Sequence, residues 1–166
     1  MHAIARFLLI PVLLAAGIAT AHAEPLDISA VMSPQEQIRL DFKDESKHFV
    51  LLVRREGMAE GAGALAGAQV SEYGMHDIIR GVGGDPRGYL VFTAPDGAEA
   101  YVKWQVRAVF VPAADGKMQL LDNGYWEIAG GTGQFATLQG AGTLHIKPVT
   151  KTDRRFILKG ELRGMK

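Results

Sequence analysis

The chain has 166 residues, in which 18 lysines and arginines balance 18 aspartates and glutamates, and it contains no cysteine. This charge balance argues against a nucleic-acid-binding protein, because binding to phosphates requires a concentrated basic face. Without cysteine the chain forms neither a disulfide nor a lipid-modified cysteine anchor, so its fold has to be stabilised by the hydrophobic core alone.

The N-terminus has the three parts of a secretory signal peptide. Arg6 carries a positive charge, residues 7–19 are apolar, and Ala21 and Ala23 are small residues at the two positions that signal peptidase reads. A transmembrane anchor is the competing interpretation, but the apolar run is shorter than the ~20 residues that a bilayer span needs. We therefore predict a signal peptide at 1–23 and a secreted or periplasmic mature protein without a membrane span.

Removal of this segment takes Arg6 with it and leaves 143 residues with a net charge near −1, a length that suits one domain. Residues 24–38 are predicted as an extended N-terminal segment, and the sequence leaves open whether it packs against the domain or is loose. Residues 39–166 are predicted as the domain itself. Eight runs in it have the character of strands separated by turn signals: 49–55, 61–67, 70–82, 88–93, 99–111, 117–129, 140–146 and 155–162.

Two Asp-Gly pairs, at 96–97 and 115–116, lie between alternating segments and are strong signals for hairpins. No amphipathic helical stretch of useful length is present. An all-β chain of this kind avoids exposed sheet edges by closing into a barrel, so we predict a single antiparallel β-barrel of about eight strands.

Alternation along three strands assigns side chains to the barrel interior. The polar residues that alternate with the interior positions along these strands, such as Lys103, Arg107 and His145, are expected to face solvent. The predicted interior residues are Val102, Trp104, Val106, Ala108, Phe110, Leu144, Ile146, Phe156, Leu158 and Leu162. A barrel of this size is either filled by side chains or holds one small ligand.

The segment 130–142 places five glycines around Phe135 and Leu138, between two strand-like runs. Glycine permits positive φ angles and close backbone approaches, so this segment is predicted to turn the chain between paired strands. Phe135 and Leu138 are expected to plug the underside of this glycine corner.

The glycine corner resembles that of the calycin-type barrels typified by allene oxide cyclase and the plant dirigent proteins. The preceding pattern, with Gly88-Tyr89, Pro95-Asp96-Gly97 and Asp122-Asn123-Gly124-Tyr125-Trp126, is similar to bacterial, mostly uncharacterised members of this group. The resemblance implies the barrel fold over about 49–162. It says little about function, because one fold hosts many functions.

The resemblance implies two activities. Allene oxide cyclases isomerise a fatty-acid epoxide inside an apolar barrel, and dirigent proteins steer the coupling or cyclisation of phenolic intermediates with aspartates in the pocket. The catalytic residues of neither group align onto this chain, and the cysteine of the plant cyclases is absent. The sequence therefore favours a binding protein over an enzyme, and if it is an enzyme, an isomerase or cyclase.

Candidate polar residues are few. Asp77 either faces the barrel interior as part of a site or points to solvent, and the second interpretation is favoured because charged residues are mostly exposed. The histidines of the mature chain, His48, His76 and His145, share no ligand spacing, so we expect no metal site and no cofactor. The segment 131–133 lacks the lysine and following helix of a phosphate loop.

Aromatic residues complete the candidate site. Trp104, Trp126, Phe92 and Tyr89 either fill the core, which is the favoured interpretation, or line a cavity for an apolar ligand. We take Trp104, Trp126, Phe92 and Asp77 as the candidate ligand-binding residues. The predicted function is binding of a small apolar or phenolic molecule. The alternatives are a cyclase or isomerase, and a structural or interaction protein that acts through its outer surface as a homo-oligomer.

Overall fold

The structure is a computed structural model and describes residues 23–164, so the predicted signal peptide lies almost wholly outside the described residues. The predicted fold class is confirmed: the described chain is an antiparallel barrel of eight strands with one short additional strand. The strands are β1 (Glu24–Asp41), β2 (His48–Ala62), β3 (Gln69–Ile79), β4 (Gly83–Gly84), β5 (Arg87–Thr93), β6 (Glu99–Pro112), β7 (Met118–Gly131), β8 (Gln139–Pro148) and β9 (Arg154–Arg163).

Each strand of the barrel pairs with its neighbours in sequence, and β9 returns to pair with β1. The two-residue strand β4 bridges β3 and β6 beside β5. This ring has no free edge, which is the arrangement that protects the strands from pairing with other chains. No helix within residues 23–164 is long and apolar enough to cross a membrane.

The N-terminal segment is part of the barrel. Strand β1 pairs with β2 on one side and with β9 on the other. Its alternating side chains Leu26, Ile28, Ala30 and Met32 are buried, whereas the residues between them are more exposed. The N-terminal segment therefore packs against the domain and is not loose, since two ladders of hydrogen bonds hold it and it contributes a row of core residues.

The predicted strand at 61–67 is wrong. Gly61 and Ala62 end β2, and the residues after them form a turn in which the amide of Ala66 donates to the carbonyl of Gly63. Positive φ angles at Gly61 and Gly63 bend the chain here, so glycine marked the end of a strand and not its interior. The other seven predicted runs overlap observed strands, and with β1 the barrel still has eight.

The glycine corner is confirmed as the connection between β7 and β8. It contains a short 3-10 helix, Gly133–Phe135, and both Phe135 and Leu138 are buried beneath it. Gly133 has φ +52°, and a Cβ there would lie 2.9 Å from the Cβ of Ala98. Gly131 is required for a different reason, since a Cβ there would collide with the backbone carbonyl of Phe135.

The two ends of the barrel differ. At the end that carries the glycine corner, the interior is filled, and the predicted inward residues of β6, β8 and β9 are buried as alternation indicated, except Phe110, which is half-buried and lines the hollow. Phe135, Leu65 and Leu138 close this end. At the other end the interior is hollow, with a cavity of about 450 Å³. The barrel is therefore a filled half beneath a hollow half, and the site lies where they meet.

Candidate functional site

The cavity has apolar walls. Inward-facing residues of β1, β2, β3, β6, β7 and β8 supply these walls, and the hairpin loops at the open end surround the mouth. The apolar lining residues are Pro34, Phe49, Leu51, Ile78, Pro86, Phe110, Leu120 and Ile146. A concave site of this size, with mostly apolar walls and few polar groups, is typical of small-molecule pockets.

The base of the cavity carries an ion pair that is almost completely buried. Arg55 and Glu72 are direct cross-strand partners on β2 and β3. The Arg55 Nη1 donates to Glu72 Oε2 at 2.6 Å, and the two side chains are 5% and 0% exposed. Burying two charges is costly unless they are paired, so each of these residues depends on the other.

His76 joins this pair. Its Nε2 lies 3.0 Å from Glu72 Oε1 and 3.2 Å from Arg55 Nη1. Because an ionised carboxylate only accepts hydrogen bonds, the His76 Nε2 carries the hydrogen and donates to Glu72. Gly74 lies between Glu72 and His76 on the inward face, and a Cβ at this position would collide with both side chains. The glycine thus leaves the space in which the two groups meet.

Asp122 is the second buried acid of the cavity. It is 8% exposed, and its Oδ1 has no hydrogen-bond partner in the described chain. Burial raises the pKa of Asp122 to about 6, although the nearby charges of His76 and Arg154 act in the opposite direction. A carboxyl group with this pKa can give up or take up a proton near neutral pH.

Two further polar atoms are buried without a partner in residues 23–164: Arg55 Nε and Trp104 Nε1. Buried polar atoms are normally hydrogen-bonded, and an exception calls for a ligand, a water or a functional explanation. Arg55 Nε and Asp122 Oδ1 belong to residues that line the hollow, so these two unmet hydrogen bonds lie in the wall of this cavity.

The four residues predicted from the sequence lie elsewhere. Trp126 and Phe92 are buried in the filled half, and the indole of Trp126 donates to the carbonyl of Lys159. Trp104 is 1% exposed and lies below the cavity, with its ring 5.8 Å from those of His76 and Phe156. Asp77 is half-exposed on the outer side, where it accepts from His48. None of the four is among the residues that line the cavity.

The sequence-based reasoning missed Arg55, Glu72, His76 and Asp122. A signal for three of them exists in the strand period: Glu72 and His76 share parity with the buried Val70 and Ile78, and Asp122 shares parity with Trp126. Glu127, which follows Trp126 on β7, points outward and lies 3.5 Å from Lys103. No group of three potential metal ligands is close enough together within residues 23–164 to hold an ion.

A second hollow, of about 580 Å³, lies on the outer face of the barrel. Ile38, Leu52, Tyr73 and Tyr89 form part of it and are exposed by 46% to 72%. We call this the outer groove. It holds no buried polar atom that lacks a partner apart from the indole nitrogen of Trp104 beneath it. The inner cavity is therefore the better candidate, because the buried charges converge there.

The fold is similar to that of a solved structure, the pterocarpan synthase dirigent protein. The match covers 98% of this chain and 100% of that chain, with a TM-score of 0.54 and 13% sequence identity. This likeness shows a dirigent-like barrel, and it confirms that part of the predicted resemblance. No family model matches the chain, and a search of curated proteins finds no match in sequence.

Proposed function

We propose that this protein binds a small apolar or phenolic molecule in the hollow half of the barrel. The observation that carries the proposal is the cavity of about 450 Å³, whose mostly apolar wall contains two buried polar atoms that have no hydrogen-bond partner among residues 23–164. Apolar walls supply most of the affinity for such a ligand, and a few polar groups fix its orientation. The similar solved structure is named a pterocarpan synthase, which is consistent with small-molecule chemistry in a barrel of this kind.

The proposal includes the compartment. The signal-peptide pattern at the N-terminus favours a secreted or periplasmic protein, and a chain without cysteine has no thiol that the oxidising conditions there could alter. Mass spectrometry of the protein secreted by an expression host tests this directly, and a mature N-terminus at Glu24 is the expected result.

Asp122 favours an isomerase or cyclase as the second candidate function. A general acid or base works best when its pKa lies close to the operating pH, and the pKa of Asp122 meets that condition inside an apolar cavity. An exposed outer groove with Ile38 and Tyr73 favours the third candidate, a homo-oligomer that acts through its surface.

Leu51 and Leu52 provide a matched test of where a ligand binds. They are adjacent on β2, but Leu51 lines the inner cavity and Leu52 lines the outer groove. We expect the neutral dye Nile red to bind the mature protein saturably. We expect Leu51→Trp to weaken this binding at least about tenfold, equivalent to about 1.4 kcal/mol, because the larger side chain occupies the cavity.

Leu52→Trp is the control and should leave the dye affinity unchanged. Fluorescence titration of the three proteins gives the dissociation constants, and urea unfolding shows that both variants are folded. Loss of binding in Leu52→Trp with full binding in Leu51→Trp would move the site to the outer groove. An absence of saturable binding in the parent protein would reject the proposed function.

A further inference from the structure

Two arginines flank strand β1 at the base of the cavity. Arg55 on β2 pairs with Pro34 of β1, and Arg154 on β9 pairs with Met32 of the same strand. Paired strands lie about 4.8 Å apart, so the two arginines lie on either side of one strand, at positions two residues apart along it. Both line the hollow. Burial lowers the pKa of Arg154, and the charge of Arg55 lowers it further, which agrees with this proximity.

Their hydrogen-bonding capacity is only partly used. Arg55 Nη1 donates to Glu72, but Arg55 Nε is buried without a partner. Arg154 Nη1 donates to the backbone carbonyls of Thr150, Lys151 and Asp153, and within residues 23–164 it forms no ion pair with a carboxylate. Glu72 is thus the one carboxylate in direct contact with this pair of guanidinium groups.

Charge is distributed unevenly around the cavity. The lining cations lie on β1 and β2, at the end of β3, and around the start of β9, and Phe49, Leu51 and Ile78 line the same side. These cations are Arg39, Arg55, Arg80, Lys151 and Arg154. The positive charge of Arg39 is balanced by Asp41, whose carboxylate accepts a hydrogen bond from it at 2.7 Å. The wall formed by β6, β7 and β8 consists of Phe110, Leu120 and Ile146, with Asp122 as the one acid among the described lining residues. One side of the cavity therefore suits an anion and the other an apolar group.

We propose, on the basis of the proposed function, that the ligand is an amphipathic carboxylate. Its head group lies between Arg55 and Arg154, and its apolar body lies against Phe110, Leu120 and Ile146. Guanidinium groups bind carboxylates through charge-assisted hydrogen bonds, about twice as strong as those between neutral groups. The Arg55 side chain is only 5% exposed at the base of the cavity, and this shielding from water strengthens such an interaction further.

The test compares two compounds with the same apolar body and different head groups. 4-Butylbenzoate carries the carboxylate, and 4-butylbenzyl alcohol is its neutral counterpart. We expect the benzoate to bind the mature protein at least about tenfold more tightly in isothermal titration calorimetry, since a hydrogen bond to a charged group is stronger than one between neutral groups.

Arg154 and Arg155 form the matched pair of variants. Arg154 lines the cavity, whereas Arg155 lies on the outer face beside Ile157 and Lys159. Arg154→Gln should reduce the affinity for the benzoate at least about tenfold and leave the affinity for the alcohol within about twofold of the parent value. Arg155→Gln should change neither affinity. The unchanged binding of the alcohol shows that the cavity of Arg154→Gln is intact.

Equal binding of the two compounds to the parent protein would overturn the assignment of a carboxylate ligand. The same holds if Arg154→Gln weakens both compounds equally, or if Arg155→Gln weakens the benzoate as much as Arg154→Gln does. Each of these results leaves a neutral ligand in the cavity and the proposed function intact. If neither compound binds and Nile red does not bind either, the proposed function fails as well.

Discussion

Glu72→Gln should destabilise the protein by about 3–5 kcal/mol, because it leaves the buried guanidinium of Arg55 without its counter-ion. Glutamine keeps the size of the side chain and removes only its charge. The two charged groups are 2.6 Å apart and almost fully shielded from water, so nothing nearby replaces the lost carboxylate. Urea denaturation at neutral pH measures the change in the free energy of unfolding.

The control is Asp27→Asn. Asp27 accepts from Lys159 at 2.8 Å, but both side chains are more than half exposed. An exposed pair of this kind contributes only about 0–1 kcal/mol. Replacing both Arg55 and Glu72 with methionine should recover much of the stability lost in Glu72→Gln, since it removes both buried charges together. A loss below about 1 kcal/mol in Glu72→Gln would contradict the buried ion pair.

Asp122→Asn should have the opposite effect and stabilise the protein at neutral pH. The pKa of Asp122 is about 6 in the folded protein, against an ordinary value of 3.8. Between about pH 4 and pH 6 the folded state therefore binds more protons than the unfolded state, and stability falls as the pH rises through this window. Above pH 6 the cost of the buried charge is complete.

Asparagine cannot ionise, so the variant does not lose the stability that the parent loses when the buried carboxyl group becomes charged. We expect it to be more stable than the parent at pH 7.5 by up to about 3 kcal/mol, as each pKa unit corresponds to about 1.36 kcal/mol. Near pH 3.5 the two proteins should have equal stability. Asp85→Asn, which alters an exposed carboxylate beside Arg107, is the matched control. If the free energies of unfolding of Asp122→Asn and the parent changed in parallel between pH 4 and pH 7, the pKa of Asp122 would not be raised in the folded protein.

Alternation allowed most of the barrel to be predicted. In β6, every second residue from Val102 to Ala108 is apolar and buried, and the register of one strand constrains its neighbours. The same period runs through Leu26, Ile28, Ala30 and Met32, but Pro34 and the polar residues after it obscured β1. There the ladder shifts its register between Pro34 and Glu36, which a period of two does not accommodate.

The site was harder to predict, because it depends on which strands face one another. Glutamate is usually a surface residue, and although Glu72 shares parity with the buried Val70, its pairing with Arg55 is what shows that two opposite charges meet in the interior. Asp122 and Arg154 reach the same cavity from β7 and β9, far away in sequence. The sequence-based prediction chose Trp104 and Trp126, yet both belong to the packed core, and the aromatic residues that line the hollow are Phe49 and Phe110.

The central claim is that the hollow half of the barrel binds a small molecule, and nuclear Overhauser effects between ligand and protein test it most directly. Ile78 and Ile146 line the inner cavity, whereas Ile38 is 72% exposed in the outer groove. In protein labelled at the isoleucine methyl groups and saturated with 4-butylphenol, we predict effects from the ligand to Ile78 and Ile146. Effects to Ile38 alone, or to no isoleucine, would contradict the account.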